Sequence, residues 1–252
     1  MQLFDLTGMR AIVTGGSRGL GHAMAEGLME AGAEVALMGR MPQTERAAAE
    51  FRAKGFCCHA VEADMALLDR LPAAFERALE TLGGELEILL PAAGIQRRHP
   101  ADRFPMEDWR LVLEVNLNAV FLLDQLAARV MLPKGYGKII NVASMLSFFG
   151  GLTVSAYAAS KGAVAQMTKA MSNDWAAKGI NVNAIAPGYF ATEMNTALID
   201  DPGRSREILA RIPAGRWGQP EDMKGIAVFL ASHASDYLNG AVIPIDGGYL
   251  GR

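Results

Sequence analysis

Residues 10–21 read RAIVTGGSRGLG, and this stretch decides the fold. Five residues of β-rich, apolar character run into a turn with glycines at positions 15, 16, 19 and 21. Apolar residues then recur at helical spacing over 20–31, and Gly32 closes the segment. A second apolar run, EVALM at 34–38, completes one strand–helix–strand unit. The glycine spacing has a physical purpose. Gly15 allows the sharp turn, Gly19 lets the backbone approach a pyrophosphate at the helix amino terminus, and Gly21 lets helix and strand pack closely.

Outward from this unit the same alternation continues. The pattern predicts strands at 57–62, 88–90, 138–143, 181–186 and 241–245, with helices at 44–54, 67–82, 105–131 and 155–177. Seven strands with intervening helices predict an α/β chain: a doubly wound, mostly parallel seven-stranded sheet with helices on both faces, in a single domain spanning 1–252. Ligand is expected outside the carboxyl ends of the strands, where the strand order reverses. Residues 191–220 form the one irregular excursion, with an exposed turn at Asp200 to Gly203, and read as a substrate lid.

With 51% hydrophobic and 20% charged residues in 252, the chain is neither disordered nor collagen-like, and a formal charge of -3 offers no basic field for nucleic acid or anionic lipid. Residues 1–10 lack the layout of a secretory signal, and no later segment reads as apolar enough to span a bilayer. Cys57 and Cys58 are neighbours in a predicted strand and point to opposite faces, so a disulfide is not expected and a reducing, cytoplasmic setting is. His22, His59, His99 and His233 show no metal-ligand spacing with each other or with cysteine, and no metal is expected.

The chemistry-bearing residues fall at predicted strand ends. Tyr157 and Lys161 stand one helical turn apart on one face, and Ser144 ends the preceding strand, so a hydroxyl, a phenol and an ammonium can converge on one carbonyl oxygen. A phenol has a reference pKa of about 10, and Lys161 is the expected source of its lowering. Ser17, Arg18 and Leu20 belong to the glycine turn, and Ala93 and Gly94 leave space for a ribose. Asp64, followed by Met65, is placed either to accept from an adenine amino group or to cap a helix. Arg40 ends the second strand, where it can meet a 2′-phosphate together with Arg18 or stack on the adenine ring, so NADP is slightly favoured over NAD.

Residues 14–21, Asn116, Ser144, the YAASK run at 157–161 and Pro187-Gly188 together resemble the short-chain dehydrogenase/reductase family over essentially the whole chain. The resemblance implies a Rossmann-type enzyme that moves a hydride between NAD(P) and a carbonyl or secondary alcohol. It implies that Ser144 orients the substrate oxygen, Tyr157 is the general acid/base, Lys161 also holds the nicotinamide ribose, and Asn116 positions a relay water. Thr192, with Pro187, Gly188 and Phe190, would border the nicotinamide, and the assembly would be a homotetramer. The chain departs from the family at Pro91-Ala92, where two asparagines are usual; the second normally braces the sheet beside the cofactor.

Residues 139–151, 212–218, 234–240 and 246–252 are similar to the family's sugar-acid dehydrogenases acting on 2-deoxy-gluconate or 2-dehydro-3-deoxy-gluconate. Arg97 and Arg98 are placed either to pair with a sugar-acid carboxylate or to stand solvated on a loop. A 3-oxoacyl-carrier-protein reductase shares the motif set and is the alternative enzyme. A cofactor-binding sensor without turnover is the remote one.

Overall fold

The first strand–helix–strand unit forms as its pattern predicts: β1 (Arg10–Thr14), α1 (Gly19–Glu30) and β2 (Glu34–Gly39). In the computed structural model, which describes residues 2–252, α2 (Gln43–Ala53), β3 (Cys58–Glu62), α3 (Leu71–Thr81) and β4 (Ile88–Pro91) follow. Then come α4 (Met106–Leu113), α5 (Ala119–Met131), β5 (Gly137–Val142), α6 (Ser155–Trp175) and β6 (Ile180–Pro187). The chain ends through α7 (Thr196–Ile199), α8 (Pro202–Leu209), α9 (Lys224–Ala231) and β7 (Val242–Ile245). The sheet is parallel throughout, in the order β3-β2-β1-β4-β5-β6-β7. Its order reverses between β1 and β4, beside the glycine turn, which is where a doubly wound sheet is expected to take its ligand.

Successive strand residues feed opposite faces, and both faces are dry. Val13, Leu37 and Leu90 pack with Met24 and Leu28 of α1, Phe51 of α2 and Leu230 of α9. Ile12, Leu89, Ile139 and Val182 pack on the other face with Phe75 of α3, Leu123 of α5 and Met171 of α6.

Several expectations are corrected. The helix expected over 105–131 is α4 and α5 joined by a π-turn, Glu114–Asn118. The whole helical run Met106–Lys134 is, by length and composition, long and apolar enough to cross a bilayer, contrary to the sequence reading; here Val112, Val115, Val120, Leu123 and Ala127 bury its apolar face in the fold. The excursion is irregular only in part, since α7 and α8 lie within it. Asp201 does not mark a turn but caps α8, its Oδ1 accepting from Gly203 N at 2.9 Å and Arg204 N at 3.1 Å, with Pro202 in the first helical position. Helix α9, unannounced in the sequence reading, packs on α1, where Lys224 approaches Gly27 so closely that a Cβ there would lie 3.0 Å from the lysine's own. Contrary to the reading that no histidine pairs with cysteine, His59 lies beside Cys57, two residues away on the same strand face, and strand register adds the Glu34 carboxylate at ligand distance.

Candidate active site

The glycine turn is pressed against the end of β4. Gly15 has φ +68, and a Cβ on it would stand 2.8 Å from Ala93 Cα and N, so only glycine fits both the backbone conformation and the contact. A Cβ on Gly21 would strike the Gly15 carbonyl. The missing asparagine amides are replaced by other bracing: Pro91 extends β4 and pairs with Thr14, whose Oγ1 accepts from Ala93 N at 3.1 Å.

Asn116 is fully buried in the π-turn, a distortion that often marks functional positions in helices. Its Oδ1 accepts from Ile95 N at 2.8 Å, and its Nδ2 donates to Ile95 O at 2.9 Å and Ser160 Oγ at 3.2 Å. The side chain therefore grips the loop after β4. Gly94 fits beneath this grip, where a Cβ would be 3.4 Å from Asn116 Oδ1 and 3.9 Å from Lys161 Nζ. Thus Gly15 abuts Ala93 and Gly94 abuts Lys161, so the segment after β4 lies between the glycine turn and the α6 residues.

Ser144 follows β5 and caps a short turn, its Oγ accepting from Leu146 N at 3.1 Å. Ser147 Oγ accepts from Ser144 N at 3.2 Å and donates to Lys161 O at 2.7 Å, pinning the serine to α6. Tyr157 is half-buried; burial pushes its phenol above the ordinary value and a hydrogen bond with Ser144 pulls the other way. Lys161, buried, donates to Val142 O at 2.5 Å, its ammonium lies 5.8 Å from the Tyr157 ring centre, and burial pushes it down to about 8. Ser144, Tyr157 and Lys161 are thus brought together. The expected lowering of the phenol by the lysine is not found, because the ammonium is turned toward a carbonyl and desolvation dominates.

Other residues stand as follows. Asp64 Oδ1 accepts from Ala66 N at 3.0 Å, so one carboxylate oxygen holds a local turn. Met65 is buried beside it. Arg18 ion-pairs with Glu193, and Thr192 Cγ2 lies 3.9 Å from the Cβ position of Gly19, so the start of the excursion rests on the glycine turn. Among the described residues the exposed Arg40 guanidinium has no hydrogen-bonding or ionic partner. Gly188 packs on the Asp246 backbone with a Cβ approach of 2.7 Å, and Phe190, buried, bridges to Gly218. The rest of the excursion packs Ile208, Ile212 and Trp217 around Met145, Phe149, Tyr189 and Tyr249.

Arg97 is exposed and engaged, its Nε 3.3 Å from Asp108 Oδ1, while His99 Nε2 lies 2.6 Å from Asp108 Oδ2. Neither Arg97 nor Arg98 bonds to Ser144, Tyr157 or Lys161. Residues missed by sequence reasoning include Ser147, Ser160 and Thr153. Thr153 takes φ +64 just before α6, and its carbonyl accepts from His99 N at 2.9 Å, tying the arginine loop to the start of α6. A Ser or Thr at these offsets carries no sequence signal of its own.

A family model described as short chain dehydrogenase matches residues 9–203. The chain is 46% identical over 249 residues to the 2-dehydro-3-deoxy-D-gluconate 5-dehydrogenase of Bacillus subtilis (strain 168), covering 99% of this chain and 97% of that protein. It is 44% identical over 251 residues to the gluconate 5-dehydrogenase of Gluconobacter oxydans (strain 621H), covering 98% and 96%. A solved gluconate 5-dehydrogenase from Burkholderia cenocepacia J2315, in complex with NADP and tartrate, matches with a TM-score of 0.95 and 44% identity over 100% of this chain and 98% of that one.

Proposed function

This chain belongs to the short chain dehydrogenase family, and from that premise we propose that it moves a hydride between a nicotinamide dinucleotide and the C5 position of a gluconate-type sugar acid. The observation that carries this reading is the convergence of Ser144, Tyr157 and Lys161 on the crevice bordered by the glycine turn. The names of the relatives supply the substrate class.

The residues fit a dinucleotide: Gly15 lets the turn close onto Ala93, a Cβ on Gly19 would meet nothing nearer than Thr192 Cγ2 at 3.9 Å so bare backbone is offered at the amino terminus of α1, and among the described residues the Arg40 guanidinium beside β2 has no partner. In this reading the turn at Gly15, Ser17, Arg18, Gly19, Leu20 and Gly21 holds the pyrophosphate on the amino terminus of α1. The second Asp64 oxygen faces the adenine with Met65, and Ala93 and Gly94 border a ribose. Pro187, Gly188, Phe190 and Thr192 border the nicotinamide. When bound, that ring gives or takes the hydride. Ser144 fixes the substrate oxygen, Tyr157 gives or takes the proton at that oxygen, Lys161 holds the ribose and relays the proton, and Asn116 holds the loop bearing Gly94 and a relay water. Residues 191–220 act as the lid, resting on Gly19 through Thr192 and closed by the Arg18–Glu193 pair. A cytoplasmic homotetramer completes the reading, in keeping with the exposed Phe121 on α5 and Tyr237 before β7.

The test is a panel of 5-keto-gluconate, 2-dehydro-3-deoxy-gluconate, neutral sugars and acyl thioesters with both cofactors. A sugar acid is expected to give the highest kcat/KM; an acyl thioester in first place overturns the reading in favour of the acyl-carrier alternative. For the cofactor, Arg40, whose guanidinium has no partner among the described residues, supports NADP, because Arg18 must first leave Glu193. Arg40→Asp is expected to lower kcat/KM for NADP by about ten- to hundredfold while sparing NAD. A wild type that prefers NAD refutes it.

For the substrate carboxylate, the engagement of Arg97 by Asp108 leaves Arg98 as the available fork. Arg98→Ala is expected to cost about tenfold or more in kcat/KM on sugar acids and nothing on an uncharged ketone, with Arg97→Ala milder. Equal ratios of the two substrate types in both variants would show the arginines to be spectators.

A further inference from the structure

At the opposite end of the sheet from the glycine turn, where β2 and β3 begin, three side chains of different chemistry meet. The pairing of Val35 with Cys58 and Ala36 with His59 fixes the register, and Val35 N donates to Cys57 O at 3.1 Å, so Glu34 lies beside Cys57. Cys57 and His59 are two residues apart and share one face. Cys57 Sγ is 3.3 Å from Glu34 Oε1 and 3.9 Å from His59 Nε2, and His59 Nε2 is 2.7 Å from Glu34 Oε1. Cys58, on the other face, is buried in the core and takes no part.

We infer that Cys57 Sγ, His59 Nε2 and Glu34 Oε1 bind a zinc ion, with solvent in the fourth position. Zinc–ligand bonds of about 2.0–2.3 Å at tetrahedral angles set ligand–ligand edges near 3.3–3.6 Å. The three observed separations bracket that range, and rotamer adjustments of about half an ångström bring all three into it. A thiolate with an imidazole and one carboxylate suits zinc, whereas magnesium and calcium want oxygen alone. β3 is the edge strand of the sheet and Cys57 is exposed, so the ion has an open path in. On binding, Cys57 gives up its thiol proton to solvent, and the two negative ligands balance the dication. The bound ion cross-links the starts of β2 and β3, remote from the crevice, and takes no part in the hydride reaction.

The test uses the full chain without a polyhistidine tag, reduced and stripped with chelator. Zinc is titrated against a chromogenic indicator, and cobalt is added separately to look for thiolate-to-metal charge transfer. We expect one ion per chain with a dissociation constant of about 1 μM or tighter. Cys57→Ser and His59→Gln should each weaken it at least tenfold and Cys57→Ser should abolish the cobalt band; Cys58→Ser should leave both unchanged. All substitutions except the last lie at exposed or half-exposed positions, and circular dichroism checks that each variant is folded. Absence of stoichiometric binding overturns the inference, as does binding that survives both Cys57→Ser and His59→Gln.

Discussion

Replacing Tyr157 by Phe is expected to lower turnover by about a thousandfold or more while leaving dinucleotide affinity within a few-fold, because one atom carries both the proton and a hydrogen bond to the substrate oxygen. The direction of the Tyr157 shift adds a pH signature. Burial raises the phenol above its ordinary value, with the Ser144 hydrogen bond opposing, so the group is protonated at neutral pH. That is the form needed to protonate the oxygen in carbonyl reduction. Alcohol oxidation needs the proton gone, so its rate should climb as pH rises, while reduction stays level across neutrality. The residual oxidation by Tyr157→Phe should lack this climb. Steady-state kinetics in both directions across pH checks this; retention of more than about a tenth of wild-type turnover would remove Tyr157 from its proposed role.

The lysine behaves differently from what its spacing suggests. One turn after Tyr157, it reads in the sequence as a cation aimed at the phenol. In the fold it enters a buried slot whose nearest acceptor is the Val142 carbonyl, and desolvation brings it down to about 8. Spacing on a helix fixes the shared face, not the dielectric or the competing acceptor; these depend on β5, which is distant in sequence.

The same distinction explains what else was legible. The strand–helix alternation is a local property, so the seven strands and their mostly parallel, doubly wound arrangement follow from periodicity and crossover handedness, whereas the strand order rests on pairings between distant segments. Helix α8 is hidden because Pro202 and Gly203 read as a turn, whereas an Asp before a Pro also caps and starts a helix. The π-turn at Asn116 has no pattern of its own, since it shifts hydrogen bonds without changing residue types. Glu34 reaches the Cys57–His59 pair, and Arg18 reaches Glu193, across long stretches of chain, and only strand register and lid packing bring them together.

The second large effect is on stability, at a position unconnected with the crevice. Asp124 of α5 is fully buried, and burial pushes its carboxyl up to about 8, against the opposing hydrogen bond from Asn141. Asn141 Nδ2 donates to Asp124 Oδ2 at 3.0 Å and to Thr168 Oγ1 at 3.1 Å. The oxygens left without a partner are Asp124 Oδ1 and Asn141 Oδ1. A proton on Asp124 removes the buried charge and leaves its unpartnered oxygen no longer an unmet anionic acceptor, so the neutral acid suits the site and the carboxylate does not. The folded pKa lies above the unfolded value of about 3.9, so unfolding releases a proton between them. The contribution of Asp124 to stability is therefore complete below about pH 4 and is lost as pH rises toward 8. Asp124→Asn keeps the shape, supplies a permanent donor and removes the titration. It is expected to be more stable than wild type by a few kcal/mol at pH 8, with the advantage shrinking to about a quarter at pH 5. Thermal melts of both proteins at the two pH values read this as a gap in Tm of several degrees that narrows on acidification. A gap of the same size at both pH values, or a variant less stable at pH 8, would mean that Asp124 is not held as a neutral acid.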